Sequence, residues 1–129
     1  MNPVAPALAS RPLALLVDDD AIIRMEAADL LDEAGFAVVE AWSAASALDL
    51  LERRPDIGLL LTDVCMPGAA DGFGLAREVA RRWPGIRIVV MSGPMTPAGH
   101  DLPDGALFID KPFSARHVLD AVRGIEGLS

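Results

Sequence analysis

Cysteine is almost absent from this chain of 129 residues, and the single one, Cys65, cannot form an intrachain disulfide. A lone thiol suits a reducing compartment, so a cytoplasmic protein is expected. Long apolar runs are also missing: none approaches the ~20 residues that a helix needs to span a bilayer. The run Leu13–Val17 stops at three aspartates, and residues 1–11 lack a basic segment followed by an apolar stretch. Neither a signal peptide nor a membrane anchor is expected. Basic residues are scarce, with 11 Lys and Arg against 19 Asp and Glu and a net charge of −8. Nucleic-acid backbones are bound through clustered Lys and Arg, so nucleic acid is not an expected partner.

What is present is enough apolar material for a core, 52% of residues, which argues against disorder. Residues 1–11 are rich in Ala and Pro without periodicity and read as a flexible tail. Beyond them, two patterns alternate. Short apolar runs occur at Leu13–Val17, Phe36–Val39, Ile57–Leu61, Ile86–Met91 and Ala106–Ile109, each of strand length. Continuous apolar runs of this size suit parallel strands covered on both faces.

Helical spacing fills the intervals. In 21–34, Ile23, Ala27, Leu30 and Ala34 share a face and Gly35 supplies a stop. In 44–54, Ser43 is placed to cap, Ala44, Leu48 and Leu51 share a face, and Pro55 follows. In 72–82, Leu75 and Val79 point inward, and in 114–125 the stripe is Val118, Val122 and Ile125. The interval 93–105 holds three prolines and several glycines, so its helix is expected to be short or mobile. Five strand–helix repeats predict an open, doubly wound α/β sheet with right-handed crossovers, in which ligands bind beyond the carboxyl ends of the strands.

The residues at those ends are Asp18-Asp19-Asp20, Thr62-Asp63, Ser92 and Asp110-Lys111. Each has an ordinary structural use: aspartates after strands often cap helices, a lone serine forms turns, and a lone lysine is usually solvated. Their joint occurrence at four strand ends is harder to assign to capping. Crowded carboxylates repel one another, and a hard divalent cation relieves that repulsion. An ammonium and a hydroxyl beside such a cation can hold phosphoryl oxygens, and a carboxylate can act as nucleophile to give an acyl phosphate.

On these residues the sequence resembles the receiver domain of response regulators over about residues 12–126. The resemblance is carried by Leu15-Leu16-Val17-Asp18-Asp19-Asp20, Leu60-Leu61-Thr62-Asp63-Val64-Cys65-Met66-Pro67-Gly68, Val89-Val90-Met91-Ser92-Gly93 and Lys111-Pro112-Phe113, in the expected order. It implies a flavodoxin-like, five-stranded parallel sheet of order 2-1-3-4-5. It implies Asp63 as phosphoacceptor and Mg²⁺ as cofactor, held by Asp18, Asp19, Asp63 and the backbone carbonyl of Cys65, with Asp19 the preferred direct ligand. Ser92 and Lys111 take the roles of the residues that contact the phosphoryl group. Ser92 and Phe108 take the roles of the switch pair, with a plain core residue the other reading of Phe108. Asp20 falls on a variable position and reads as the cap of the first helix.

The implied function is a signalling switch that accepts phosphate from a sensor histidine kinase or a histidine phosphotransfer protein. It catalyses only its own phosphorylation and dephosphorylation, so it is not expected to be an enzyme in the ordinary sense. Ser129 closely follows the last helix, and no DNA-binding or enzymatic output domain is expected. Output is then expected through contact with a downstream protein or by acting as a phosphate sink, and a phosphorylation-dependent homodimer is one candidate mode. Two alternatives are a phosphorylation-independent interaction module and a phosphatase of the haloacid dehalogenase type. The latter wants a second aspartate where Cys65 stands. Departures from the family pattern fall at Gly68-Ala69-Ala70, one residue longer than is common, and at the breaker-rich 93–105. Trp42 and Trp83 read as packing anchors, and His100 and His117 as surface or packing residues.

Overall fold

The five apolar runs become the five strands of one parallel sheet, and helices follow the first three of them, the first on one face and the next two on the other. In the computed structural model the described residues are 12–63, 72–92, 106–110, 116–118 and 120. The elements are β1 (Leu13–Val17), α1 (Ala21–Glu33), β2 (Ala37–Ala41), α2 (Ala44–Arg53), β3 (Ile57–Asp63), α3 (Gly72–Arg82), β4 (Arg87–Ser92) and β5 (Leu107–Asp110). Residues 116–118 and 120 are also helical, within the helix expected over 114–125. The sheet order is β2-β1-β3-β4-β5, as the family resemblance implied. The segments 64–71 and 93–105, where a lengthened loop and a short or mobile fourth helix are expected from the sequence, lie outside the described residues.

Strand residues alternate between two cores because successive side chains point to opposite faces. Leu15, Val17, Leu60 and Val90 pack with Ala47 and Leu51 of α2 and Phe73 and Val79 of α3. Ala14, Leu16, Leu59, Leu61, Val89 and Met91 pack with Ala27 and Leu31 of α1 and with Val118. The central strands are therefore buried on both sides, which explains their unbroken apolar sequence.

The helix ends follow their local chemistry. Asp20 Oδ1 accepts from the Ile22 and Ile23 N–H groups at 3.0 and 3.1 Å, capping α1. Ser43 and Ser46 form a reciprocal capping box at the start of α2. After α1, Gly35 has φ +102°, Gly35 N–H donates to Asp32 O and Phe36 N–H to Leu31 O. That pair of bonds is a Schellman closure, and its left-handed residue favours glycine. On the outer surface, Arg82 links α3 to Glu52 of α2 at 2.7 Å and lies over the Trp83 ring. Arg81's hydrogen bond holds the Glu78 carboxyl below the usual carboxylate range, with the Arg81 and Arg82 charges acting in the same direction.

Three expectations need correction. Along α1 the buried positions are Ala27 and Leu31, while Ile23 is 37% exposed. The inward meridian runs one position beyond the expected Leu30, so Ile23 falls on its flank. Trp42 is 63% exposed and is not a packing anchor, because it follows Ala41 at the end of an edge strand. Trp83 does pack against the α2–α3 core. Finally, β2 continues past its apolar run to Ala41, whereas β3, β4 and β5 end at Asp63, Ser92 and Asp110, where the sequence places their carboxyl ends. Backbone pairing carries β2 through Glu40, where hydropathy alone cuts it short.

Candidate functional site: an acidic cluster at the carboxyl ends of the strands

The chain leaves β1, crosses outward to β2, and returns past β1 to β3, so the direction of winding reverses between β1 and β3. Ligand crevices of doubly wound sheets open at that reversal. Val17 pairs with Thr62 across the two strands, which sets Asp18 beside Asp63 at their carboxyl ends. One carboxylate oxygen from each of Asp18, Asp19 and Asp63 lies within 4.8 Å of the other two. Asp18 is 1% exposed, Asp63 is half-buried and Asp19 is exposed, so the cluster runs from the sheet interior to solvent.

Short-range bonds shape this turn. The Asp18 N–H donates to Ala41 O at 3.1 Å, and Asp18 Oδ1 accepts from the Asp20 N–H at 2.9 Å. Asp20 therefore serves the turn with its amide and α1 with its carboxylate, and it stands outside the three-carboxylate cluster. Thr62 is fully buried and its hydroxyl donates to Asp63 O at 3.0 Å.

The donor set fits a hard divalent cation. All three groups offer carboxylate oxygens, the ligand type Mg²⁺ prefers, and among the described residues no histidine or cysteine joins the cluster. Oxygens bound to one octahedral Mg²⁺ stand roughly 3–4 Å apart, and the three oxygens here lie within 4.8 Å of one another. Without a cation, three carboxylates this near one another repel strongly.

The remaining expected residues are placed unequally. Asp63 pairs with Met91, so Ser92 ends β4 one residue beyond the strand next to the cluster, and Ser92 in turn pairs with Asp110. Phe108 sits on β5 opposite Val90. The side chains of Ser92 and Phe108, and all of Cys65 and Lys111, lie outside the described residues. His117 is exposed, and His100 is outside the described residues. A cleft of about 370 Å³, bounded by Leu51, Ile57, Trp83 and Ile86, opens where β3 and β4 begin, at the other end of the sheet.

One neighbour of the site was not singled out from the sequence. Arg24 of α1 reaches the Asp18 carbonyl with Nη1 at 2.8 Å and Glu40 of β2 with Nε at 2.9 Å. The signal was its position four residues after Asp20, one helical turn into α1, where a long side chain can reach back to the strand end.

A parallel sheet of this order with an acidic cluster at its winding reversal defines a doubly wound α/β domain with a pocket of carboxylates that could hold a metal ion. The chain belongs to the response regulator receiver family: the response regulator receiver domain matches residues 14–123. It is 36% identical to the response regulator receiver protein CpdR of Brucella abortus, covering 87% of this chain and 92% of that protein. It is 37% identical to the chemotaxis protein CheY of Bacillus subtilis, covering 84% of this chain and 92% of that one. Larger proteins match over a part only: the chain spans 13% of the sensor kinase CckA of Brucella abortus and 54% of the transcriptional regulatory protein FixJ of Azorhizobium caulinodans. Among solved structures, a response regulator receiver protein from Sinorhizobium medicae superposes with a TM-score of 0.79 at 28% identity, over 92% of this chain and 97% of that one. Phosphorylation-dependent two-component signalling is the function of this class, which is generally not enzymatic, and the matches favour neither the phosphatase nor the phosphorylation-independent reading. Among the described residues, no helix is long and apolar enough to cross a membrane.

Proposed function

We propose that this chain is a phosphoryl-accepting switch, a receiver unit over residues 12–126, in which Asp63 is the nucleophile. The observation that carries the reading is the convergence of Asp18, Asp19 and Asp63 across the ends of β1 and β3. A carboxylate oxygen of Asp63 bonds to phosphorus as the phosphorus–nitrogen bond of a phosphohistidine breaks, leaving an aspartyl phosphate and free imidazole. The donor is a sensor histidine kinase or a histidine phosphotransfer protein, and the receiver works in the cytoplasm.

Asp18, Asp19, Asp63 and the Cys65 carbonyl would hold Mg²⁺. The ion supplies charge neutralisation for the transferring phosphoryl group. Asp18 and Asp19 are the acidic pair that stays unmodified, and Lys111 and Ser92 contribute an ammonium and a hydroxyl to the phosphoryl oxygens. Asp63 stands at the half-buried end of a central strand, which restrains its carboxylate for in-line attack and limits water access. Attack of water on phosphorus then returns inorganic phosphate and the free carboxylate, so the only turnover is the protein's own cycle. Output follows from a population shift on the face that carries Phe108, read by a downstream protein.

Incubation with acetyl phosphate and Mg²⁺ should add one phosphoryl group to the intact protein, detected by mass spectrometry. Asp63→Asn should abolish the addition, as should excess EDTA. Retention of the modification in Asp63→Asn would place the acceptor elsewhere.

A further inference from the structure

We infer that Arg24 is a positioning residue for the acidic site, clamping the Asp18 backbone so that Asp18 and Asp19 converge on the cation. This rests on the reading of that cluster as a divalent-cation site. The Asp18 carbonyl belongs to the same rigid peptide plane as the Asp19 nitrogen. Fixing that carbonyl therefore fixes where the Asp19 Cα, and with it the exposed Asp19 carboxylate, leaves the end of β1.

Three contacts restrain this unit from different sides. The Asp18 N–H is held by Ala41 O, Asp18 Oδ1 is held by the Asp20 N–H, and the Asp18 carbonyl receives Arg24 Nη1 at 2.8 Å. Of these three, the last is made by a side chain from beyond the turn. The guanidinium is itself tethered by Glu40 at 2.9 Å, and its side chain is 18% exposed. Its planar fork thus spans from the edge strand β2 to the β1–α1 turn, which the single point charge of a lysine cannot reproduce. The donor is charged, so this bond is stronger than a neutral one.

A guanidinium near a cation site has two opposite consequences, and their signs differ. As a positive charge it disfavours the cation, an effect that Glu40 offsets. As a clamp it reduces the ordering that cation binding must impose on the two carboxylates. If the clamp dominates, removing Arg24 weakens Mg²⁺ binding, whereas a purely electrostatic role predicts tighter binding.

Isothermal titration with MgCl₂ of the full chain and of Arg24→Met, Arg24→Lys and Glu40→Ala separates these outcomes, with thermal melts in EDTA to verify folding. The Mg²⁺ Kd should rise about tenfold in Arg24→Met, equivalent to about 1.4 kcal/mol. Arg24→Lys should recover part of that loss, and Glu40→Ala, which frees the fork from β2, should show a smaller rise. In acetyl phosphate labelling of Asp63, the Mg²⁺ concentration for half-maximal labelling should rise about tenfold in Arg24→Met, in step with the Kd. An unchanged or lower Kd in folded Arg24→Met overturns the inference, and Glu40→Ala decides it if that variant does not fold. A wild-type chain that takes up no Mg²⁺ overturns the cation-site reading and the inference together.

Discussion

Asp19 and Asp20 are adjacent acidic residues with different duties, and the difference is visible in what each oxygen does. Asp20 spends its carboxylate on the first turn of α1, where two backbone N–H groups lack helical partners. Asp19 contributes its carboxylate to a cluster of like charges. Their substitutions should therefore separate stability from cation binding. Asp20→Ala should lower unfolding free energy by about 1 kcal/mol, the usual worth of an N-cap, and leave Mg²⁺ affinity nearly unchanged because its amide still holds Asp18. Asp19→Asn relieves repulsion within the cluster. It should stabilise the metal-free protein while weakening Mg²⁺ at least about tenfold, through loss of an anionic oxygen ligand. Urea unfolding in EDTA and Mg²⁺ titration of the two variants check both halves. A Mg²⁺ affinity that falls equally in both would mean that Asp20 is a ligand.

At the scale of elements, the stop after α1 gives the clearest energetic test. Gly35 has φ +102°, and a Cβ built there meets nothing within 4 Å. Any loss in Gly35→Ala is then conformational rather than steric, and should be about 1–2 kcal/mol. Chemical denaturation reads it directly, and a neutral result would show that the turn relaxes out of the left-handed region. This stop was legible in the sequence because glycine after a periodic apolar stripe has few other uses. The Ser43 cap was legible for a similar reason. The end of β2 was less so: Glu40 belongs to the ladder through its backbone, while its side chain breaks the apolar run. The α1 stripe was misplaced because Ile23, Leu30 and Ala34 share a flank with Ala27, and only packing against β1 and β2 decides which meridian is buried. For the site, residue type and strand-end placement were enough to nominate Asp18, Asp19 and Asp63. Arg24 escaped because its role depends on a contact between α1, β2 and the turn, none of which is local in sequence.

At the scale of the molecule, the acidic site and the fold are linked through the two central strands. β1 and β3 are buried on both faces, and their carboxyl ends hold the cluster, so the cluster exists only when both cores are assembled. A ligand that binds the folded chain alone stabilises it by mass action, about 2.7 kcal/mol at a hundredfold excess over Kd. The net charge of −8 complicates the observation, because any salt screens self-repulsion in an acidic protein. Screening depends on ionic strength, whereas site occupancy depends on Mg²⁺ itself. Melting curves in MgCl₂ and NaCl at matched ionic strength therefore isolate the site. The Tm should rise by several degrees more in Mg²⁺, continuing to climb with the logarithm of its concentration above Kd. The difference should shrink sharply in Asp19→Asn, whose remaining charge of −7 leaves screening almost unaltered. Superimposable curves in the two salts would mean that the three carboxylates converge without forming a cation site.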